Sequence, residues 1–292
     1  MRAFVVGNAA LDETLSVEDF PSPGASIFGS NLSRDLGGKG INQAVAIARA
    51  GLDCVLVAAV GNDARGREIA ERLAREPLDG QLETLAGITT DASMILMTLA
   101  GENAIITTRE AADALTPDVA CRCLQDATRG DLLVVQGNLR EDTTTALLRT
   151  ARRIGMQTAM NPSPLQSYFS ALWPLTDMIF VNEGEAEALG GVEHLLDEGI
   201  ETVVLTLGGA GAALITRAGR QDVPAVPCDV LDTTGAGDCF MATALASAGV
   251  RGVAMDARAL QHAAHAAAHT VAHTGTVAAF PDAGTFARIL RL

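Results

Sequence analysis

Short continuous apolar runs recur along this chain, separated by stretches whose apolar positions return every three or four residues. Ala3-Phe4-Val5-Val6, Cys54 to Val60, Leu132 to Gln136, Met156 to Met160, Asp177 to Val181 and Thr202 to Leu207 are the runs. Unbroken runs of this length read as strands buried on both faces. The periodic stretches predict helices over 64–75, 117–128, 141–153, a short one near 165–172, 183–189 and a last alanine-rich one over about 253–272. Strands alternating with helices imply right-handed βαβ units and a parallel sheet covered on both sides. Leu214-Ile215-Thr216 and Val223 to Val226 read as antiparallel additions. The fold class is therefore α/β: three α/β/α layers around a mainly parallel central sheet.

Two regions break the alternation. Residues 14–36 carry Pro21, Pro23, Gly24 and Gly29 between short extended pieces. Ser93 to Leu99 and Asn103 to Thr108 flank Ala100-Gly101-Glu102, a β-hairpin pattern. The two regions can form a small separate sheet covering a site, or the hairpin can extend the main sheet. We expect one domain over 1–292, with a lid built from about 14–36 and 93–108.

Two glycine-rich segments open helices. Asp232-Thr233-Thr234-Gly235-Ala236-Gly237-Asp238-Cys239-Phe240 precedes an apolar run that reads as a helix ending at Gly249. Glycines at a helix start leave free N–H groups at the positive end of the dipole, which favours an anion. Asp238 lies in the first turn, where a carboxylate caps the dipole or acts as a base beside a phosphate. Leu36-Gly37-Gly38-Lys39-Gly40-Ile41-Asn42-Gln43 opens a helix that stops at Gly51. It is not a P-loop, because Gly40 replaces the Ser or Thr that must follow the lysine. It is not a dinucleotide fingerprint, because Gln43 takes the third glycine position. A turn presenting Lys39 and Asn42 remains.

Polar residues gather at the strand ends: Asn8 and Asp12, Asn138, Asn161, Asn182 with Glu185, Thr206 with Gly208, Asp232 and Asp238. In a parallel sheet these ends converge on one edge, where ligands bind. Asn182 and Glu185 share a helix face. They suit outer-sphere contacts to hydrated Mg²⁺, which keeps most of its waters; helix capping accounts for Glu183 and Glu187. Thr206-Leu207-Gly208-Gly209-Ala210-Gly211 suits a nucleotide lying on bare backbone, or a tight connection between strands. His262, His265, His269 and His273 recur at helical spacing; with no accompanying Cys or carboxylate they read as a packing face or as neighbours of a ligand.

Composition narrows the functional classes. The 292 residues are 48% apolar and 19% charged, which suits a globular protein and not a disordered one. A net charge of −14 argues against non-specific nucleic-acid binding and leaves any anionic substrate to local dipoles and a few cations. Aromatics are 3%, so Ala, Val, Leu and Ile must build the core. The cysteines, Cys54, Cys121, Cys123, Cys228 and Cys239, include no CxxC pair and fit reduced thiols of the cytoplasm. Cys121 and Cys123 fall on different sides of a predicted helix. Neither a signal peptide nor a membrane span is expected.

Together these pieces resemble the ribokinase-like (PfkB) family of carbohydrate kinases, over essentially the whole chain. Gly37 to Ala44 is similar to the family's N-terminal signature and Asp232 to Phe240 to its C-terminal one; Asn182 to Glu187 and Thr206 to Gly211 follow the family's order. The resemblance implies an α/β core with a β-sheet lid and transfer of the ATP γ-phosphoryl group to a sugar hydroxyl. It implies that Asp238 is the base and that the N–H groups of Gly235, Ala236 and Gly237 form an anion hole. Asp12, Gly38, Lys39, Asn42 and Asn138 would contact the sugar; Asn182, Thr206, Gly208, Gly211 and Gly237 the nucleotide. Glu185 would serve Mg²⁺ through water, and Asp232, Thr234 and Gly275 a monovalent cation, usually K⁺. It also implies a homodimer through the lid, with Ile27, Phe28, Ile95 and Met97 offering apolar surface. Within the family the sequence looks most like ribokinases, through its Gly-Gly-Lys-Gly-x-Asn-Gln segment and Ala111 to Pro117. It departs from them at Ala10, where an Asn is usual, at Asn138, where a Glu is usual, and at Ala210, where a cation is usual. Ala264 replaces a common Asn of the purine pocket. A nucleoside or phosphosugar kinase of the same fold, or a sugar-binding regulator that has lost catalysis, are the alternatives.

Overall fold

The structure is a computed structural model and describes residues 1–99 and 102–292. Its strands are β1 (Ala3–Val6), β2 (Ala10–Val17), β3 (Gly29–Gly37), β4 (Cys54–Gly61), β5 (Asp79–Leu85), β6 (Asp91–Thr98), β7 (Asn103–Thr107), β8 (Leu132–Gln136), β9 (Gln157–Asn161), β10 (Met178–Asn182), β11 (Thr202–Thr206), β12 (Ala212–Thr216) and β13 (Gly219–Val223). The helices are α1 (Lys39–Arg49), α2 (Ala64–Leu73), α3 (Glu110–Ala114), α4 (Pro117–Arg122), α5 (Glu141–Ile154), α6 (Glu183–Ala188), α7 (Val192–Asp197), α8 (Ala236–Arg251), α9 (Ala257–Val271) and α10 (Ala283–Ile289).

Among the described residues, nine strands form the central sheet in the order β13-β12-β11-β10-β9-β8-β1-β4-β5. From β11 through to β5 neighbours run parallel. As expected, the antiparallel strands β12 and β13 close one edge. The buried runs divide their side chains by alternation. Ala3 and Val5 enter one core with α1, α8 and α9, whereas Phe4 and Val6 enter the other with α5. The chain leaves β1 first toward β4 and later returns on the other side as β8. The crevice at that reversal is where an open α/β sheet binds ligands.

A separate four-stranded sheet, β3-β2-β6-β7, stands over this edge. It is the lid, not an extension of the main sheet, and it begins at Ala10 and Asp91. Alternation explains the earlier start: Asp12 and Ser93 pair in register and both are buried. The expected hairpin turn at Ala100-Gly101 lies outside the described residues. Ile95 is buried and Met97 half-buried, so neither offers contact surface; Ile27 and Phe28 are exposed.

Several boundaries differ from the sequence reading. The helix from Asp232's segment does not end at Gly249. It runs to Gly252, whose φ of 65° supplies the left-handed cap. Gly249 is internal because a Cβ there would lie 2.9 Å from Leu52 Cδ2. The stretch 117–128 is α4 followed by a 3-10 turn over Cys123–Asp126, so Cys121 and Cys123 fall in different elements. The short helix near 165–172 is a 3-10 segment at Phe169–Leu175, where Pro174 denies a backbone donor. The final strand is Gly219–Val223, not Val223 to Val226: Pro224 and Pro227 cannot donate to a ladder. The chain pattern also hides β5, a largely polar edge strand, and the short helices α3, α7 and α10. His273 lies beyond α9, yet its ring stacks on that of His269, with centroids 4.3 Å apart. Among the described residues no helix is long and apolar enough to cross a membrane.

Candidate active site

The two glycine-opened helices lie side by side with their N-terminal turns together. α8 begins after Gly235, whose φ is 74°, and Asp238 sits buried in its first turn. α1 begins after Gly38, with φ 86°. Its first turns bring Asn42 and Gln43 against Asp238. Asn42 Nδ2 donates to Asp238 Oδ2 at 2.9 Å, and Gln43 Nε2 donates to Oδ1 at 2.9 Å. Lys39 Nζ lies 3.7 Å from Oδ1 and keeps partial access to solvent. The carboxylate is thereby oriented by two amides and balanced by one cation. Gly40 lets α1 start this close: a Cβ there would fall 2.6 Å from the Asn8 carbonyl oxygen.

Asp12 approaches from the lid. It is buried, and its Oδ2 accepts a 2.8 Å hydrogen bond from Thr276 Oγ1. Burial pushes its carboxyl up to about 6; Thr276 opposes the shift, and the like charges of Asp35 and Asp238 reinforce it. Gly37 is needed beside it, since a Cβ there would overlap Asp12 Oδ1. Asp35, opposite Asp12 on β3, accepts the N–H groups of Thr276 at 3.2 Å and Ala278 at 2.8 Å. The base of the lid is thus tied to the loop after α9.

A cavity of about 650 Å³ opens beside the start of α8. Asn182, Thr206, Gly208, Gly211 and Gly237 all line it, and so does Ala236. Its far wall is Val226, Val230, Ala264, Ala267 and Val271, an apolar surface sized for a base and ribose. A smaller cavity of about 120 Å³ adjoins it, lined by Lys39, Glu185, Asn161 and again Asn182, Thr206 and Gly237. Glu185 and Asn182 cap α6 reciprocally. Glu185 N–H donates to Asn182 Oδ1 at 2.8 Å, and Asn182 N–H to Glu185 Oε2 at 3.0 Å. Capping therefore accounts for this pair as well as for its acidic neighbours, and it leaves Glu185 free to accept further hydrogen bonds.

Asp232 accepts two backbone N–H groups. Its Oδ1 accepts the Thr234 N–H at 2.9 Å and its Oδ2 the Gly275 N–H at 3.1 Å. Asn138 follows β8 and lines neither cavity; its Oδ1 is buried and has no partner among the described residues. His262 is buried between α8 and α9, where Ser247 Oγ lies 2.8 Å from Nδ1, and burial lowers its basicity. Among the described residues, no group of three or more His, Cys, Asp or Glu side chains is arranged to hold a metal. Sequence reasoning missed Gln136, Thr276 and Asp35. Gln136 ends an otherwise apolar strand, and that was its one legible signal. Thr276 and Asp35 act across more than two hundred residues of chain.

Comparison with known proteins gives this geometry a family. Residues 2–283 match the model described as "pfkB family carbohydrate kinase". The chain belongs to that family. It is accordingly an ATP-dependent carbohydrate kinase, a phosphotransferase with an alcohol group as acceptor. A ribokinase of Haemophilus influenzae is 32% identical over 250 residues, covering 81% of each chain. The solved ribokinase of Thermotoga maritima superposes with a TM-score of 0.89 at 25% identity, covering 100% of this chain and 99% of the other. The ribokinase of Cryptococcus neoformans, solved in complex with ADP, gives 0.83 at 27% identity, with 100% and 99% covered. The ribokinase-like core and lid expected from the sequence are the fold of this kinase.

Proposed function

We propose that this kinase transfers the ATP γ-phosphoryl group to a hydroxyl of ribose or a closely related pentose. The observation that carries the reading is the meeting of α1 and α8, which fixes Asp238 between an amide-lined acceptor side and the nucleotide-sized cavity. Asp12, Gly38, Lys39, Asn42 and Asn138 hold the sugar. Asp238 accepts the proton of the attacking hydroxyl as its oxygen bonds to the γ-phosphorus and the bond to the β-phosphate oxygen breaks. The N–H groups of Gly235, Ala236 and Gly237, at the positive end of α8, hold the charge of the transferring group. Asn182, Thr206, Gly208, Gly211 and Gly237 hold the nucleotide. The lid excludes water that would otherwise take the phosphoryl group.

Mg²⁺ fits the smaller cavity. Glu185 is its single carboxylate, which suits an ion that keeps its waters and binds mainly to phosphate oxygens, and it would neutralise charge on the transferring group. A monovalent cation fits at Asp232, Thr234 and Gly275, because each Asp232 oxygen spends only one lone pair on an N–H donor. K⁺ there would stiffen the loop that carries the anion hole. Coupled ADP-release assays across ribose, deoxyribose, hexoses, phosphosugars and nucleosides, in K⁺ or Na⁺, test the reading. We expect the highest kcat/KM with ribose and stimulation by K⁺. A nucleoside preferred over every sugar would replace the substrate, and binding without turnover for all acceptors would reduce the protein to a sensor.

A homodimer through the lid completes the proposal. Exposed large apolar side chains concentrate there: Phe28, Leu32, Met94, Ile105 and Ile106, with Met94 and Ile106 facing each other in register. Surfaces of this kind mark interfaces. Sedimentation velocity should show a dimer that Ile106→Asp with Phe28→Asp converts to a monomer. A monomeric parent protein at micromolar concentration would refute it.

A further inference from the structure

Behind Asp238 lies a second buried amide. Gln136 ends β8, at the reversal of the sheet, and Gln43 lies in α1; both have no exposed surface. Gln136 Nε2 donates to Gln43 Oε1 at 2.8 Å, and Gln43 Nε2 donates to Asp238 Oδ1 at 2.9 Å. The direction of this chain follows from charge. An ionised carboxylate only accepts, so Gln43 must turn its NH₂ toward Asp238. Its carbonyl then faces Gln136, which must present its own NH₂. Gly7 makes room for the arrangement, since a Cβ there would overlap Gln136 Oε1.

We propose that Gln43 and Gln136 are positioning residues, a buried amide relay that holds the Asp238 carboxylate in the orientation from which it takes the acceptor proton. The inference rests on Asp238 being the base, as proposed above. Neither glutamine lines the nucleotide cavities, and neither is needed to hold ATP. Asn42 fixes the other carboxylate oxygen from the acceptor side. The relay therefore gives Oδ1 its hydrogen bond, while Lys39 Nζ, 3.7 Å away, supplies charge without one. Hydrogen bonds to charged groups are the stronger ones in proteins, and small misplacements of a catalytic group are costly.

The test is a set of kinetic cycles on the full chain. Gln43→Met keeps the side chain's length and removes both hydrogen bonds. It should lower kcat roughly 10–100-fold with little change in the KM for ATP. It also leaves Gln136 without its partner, which alone lowers thermal stability. Gln43→Met with Gln136→Met removes that unpaired donor; the double variant should regain stability and keep the low kcat. In an Asp238→Asn background, Gln43→Met should cost nothing further, because a positioning residue acts only through the group it positions. A Gln43→Met enzyme with unchanged kcat overturns the relay. So does recovery of kcat with stability in the double variant, or an equal loss in the Asp238→Asn background. Unchanged turnover in Asp238→Asn alone would instead refute the base assignment, a separate failure.

Discussion

Asp238→Asn should lower kcat by about 10²–10⁴-fold, the range supplied by a positioned general base, and should lower the melting temperature by no more than several degrees. The second half of this expectation comes from the surroundings of Asp238. The carboxylate receives Asn42 Nδ2 on one oxygen and Gln43 Nε2 on the other. An asparagine keeps one acceptor, which Asn42 can use, and turns an NH₂ toward Gln43. Gln43 and Gln136 can then both flip, so that each carbonyl receives the preceding NH₂ and the two hydrogen bonds behind residue 238 are kept in the reverse direction. The flip carries Gln136 Nε2 into the place of Oε1, which has no hydrogen-bond partner in the parent, so the substitution removes the base and leaves one buried donor unpaired, at a cost of about 1–3 kcal/mol. The check is kcat for the acceptor, binding of ATP, and thermal unfolding, measured on the same preparations. Turnover within a few-fold of the parent would show that proton removal does not depend on Asp238.

Asp12→Asn should raise the acceptor KM roughly 10–100-fold, the range for a hydrogen bond to a charged group, and at neutral pH it should make the ligand-free protein more stable. Both effects come from burial. The Asp12 carboxyl is pushed from 3.8 up to about 6. Between those values the folded protein holds the proton more tightly than the unfolded chain does. The contribution of Asp12 to stability is therefore complete below about pH 4 and is lost as pH rises through 6. Above that, the folded protein carries a poorly solvated charge, at a cost on the order of 3 kcal/mol. Asparagine carries no charge and still accepts from Thr276 Oγ1. Unfolding curves from pH 4.5 to 7.5 should separate the two proteins only at the upper end. A pH-independent difference between them would refute this account. The acceptor KM of the parent enzyme should likewise rise as pH falls below about 6, where Asp12 becomes protonated and loses acceptor capacity. On the proposed reading, the charge that costs stability is the one that would hold the sugar, a trade common at functional sites.

The contrast between these residues shows how the chain encodes its site. Local sequence was enough to mark Asp238, Lys39 and Asn42, because glycines opening a helix have a short-range signature. It was enough to mark the buried strands, because a strand covered on both faces must be apolar at every position. It also separated the lid, because prolines and a hairpin pattern broke the βα alternation. Edge strand β5 escaped because half its side chains face water. Gly249 misled because a glycine that makes room for Leu52 looks the same in sequence as one that ends a helix.

Sequence by itself determined the layers, the kinase family, and the end of the sheet at which the candidate residues gather. These depend on periodicity and on residues close together in the chain. Tertiary structure alone decided that Gln136 and Gln43 stand behind Asp238, that Thr276 binds Asp12, and that Asp35 ties the lid to the loop after α9. Gln136 and Gln43 are 93 residues apart, and Thr276 and Asp12 are 264 apart. No local pattern marks such pairs. A buried amide or hydroxyl gains its role from the partner that folding places against it.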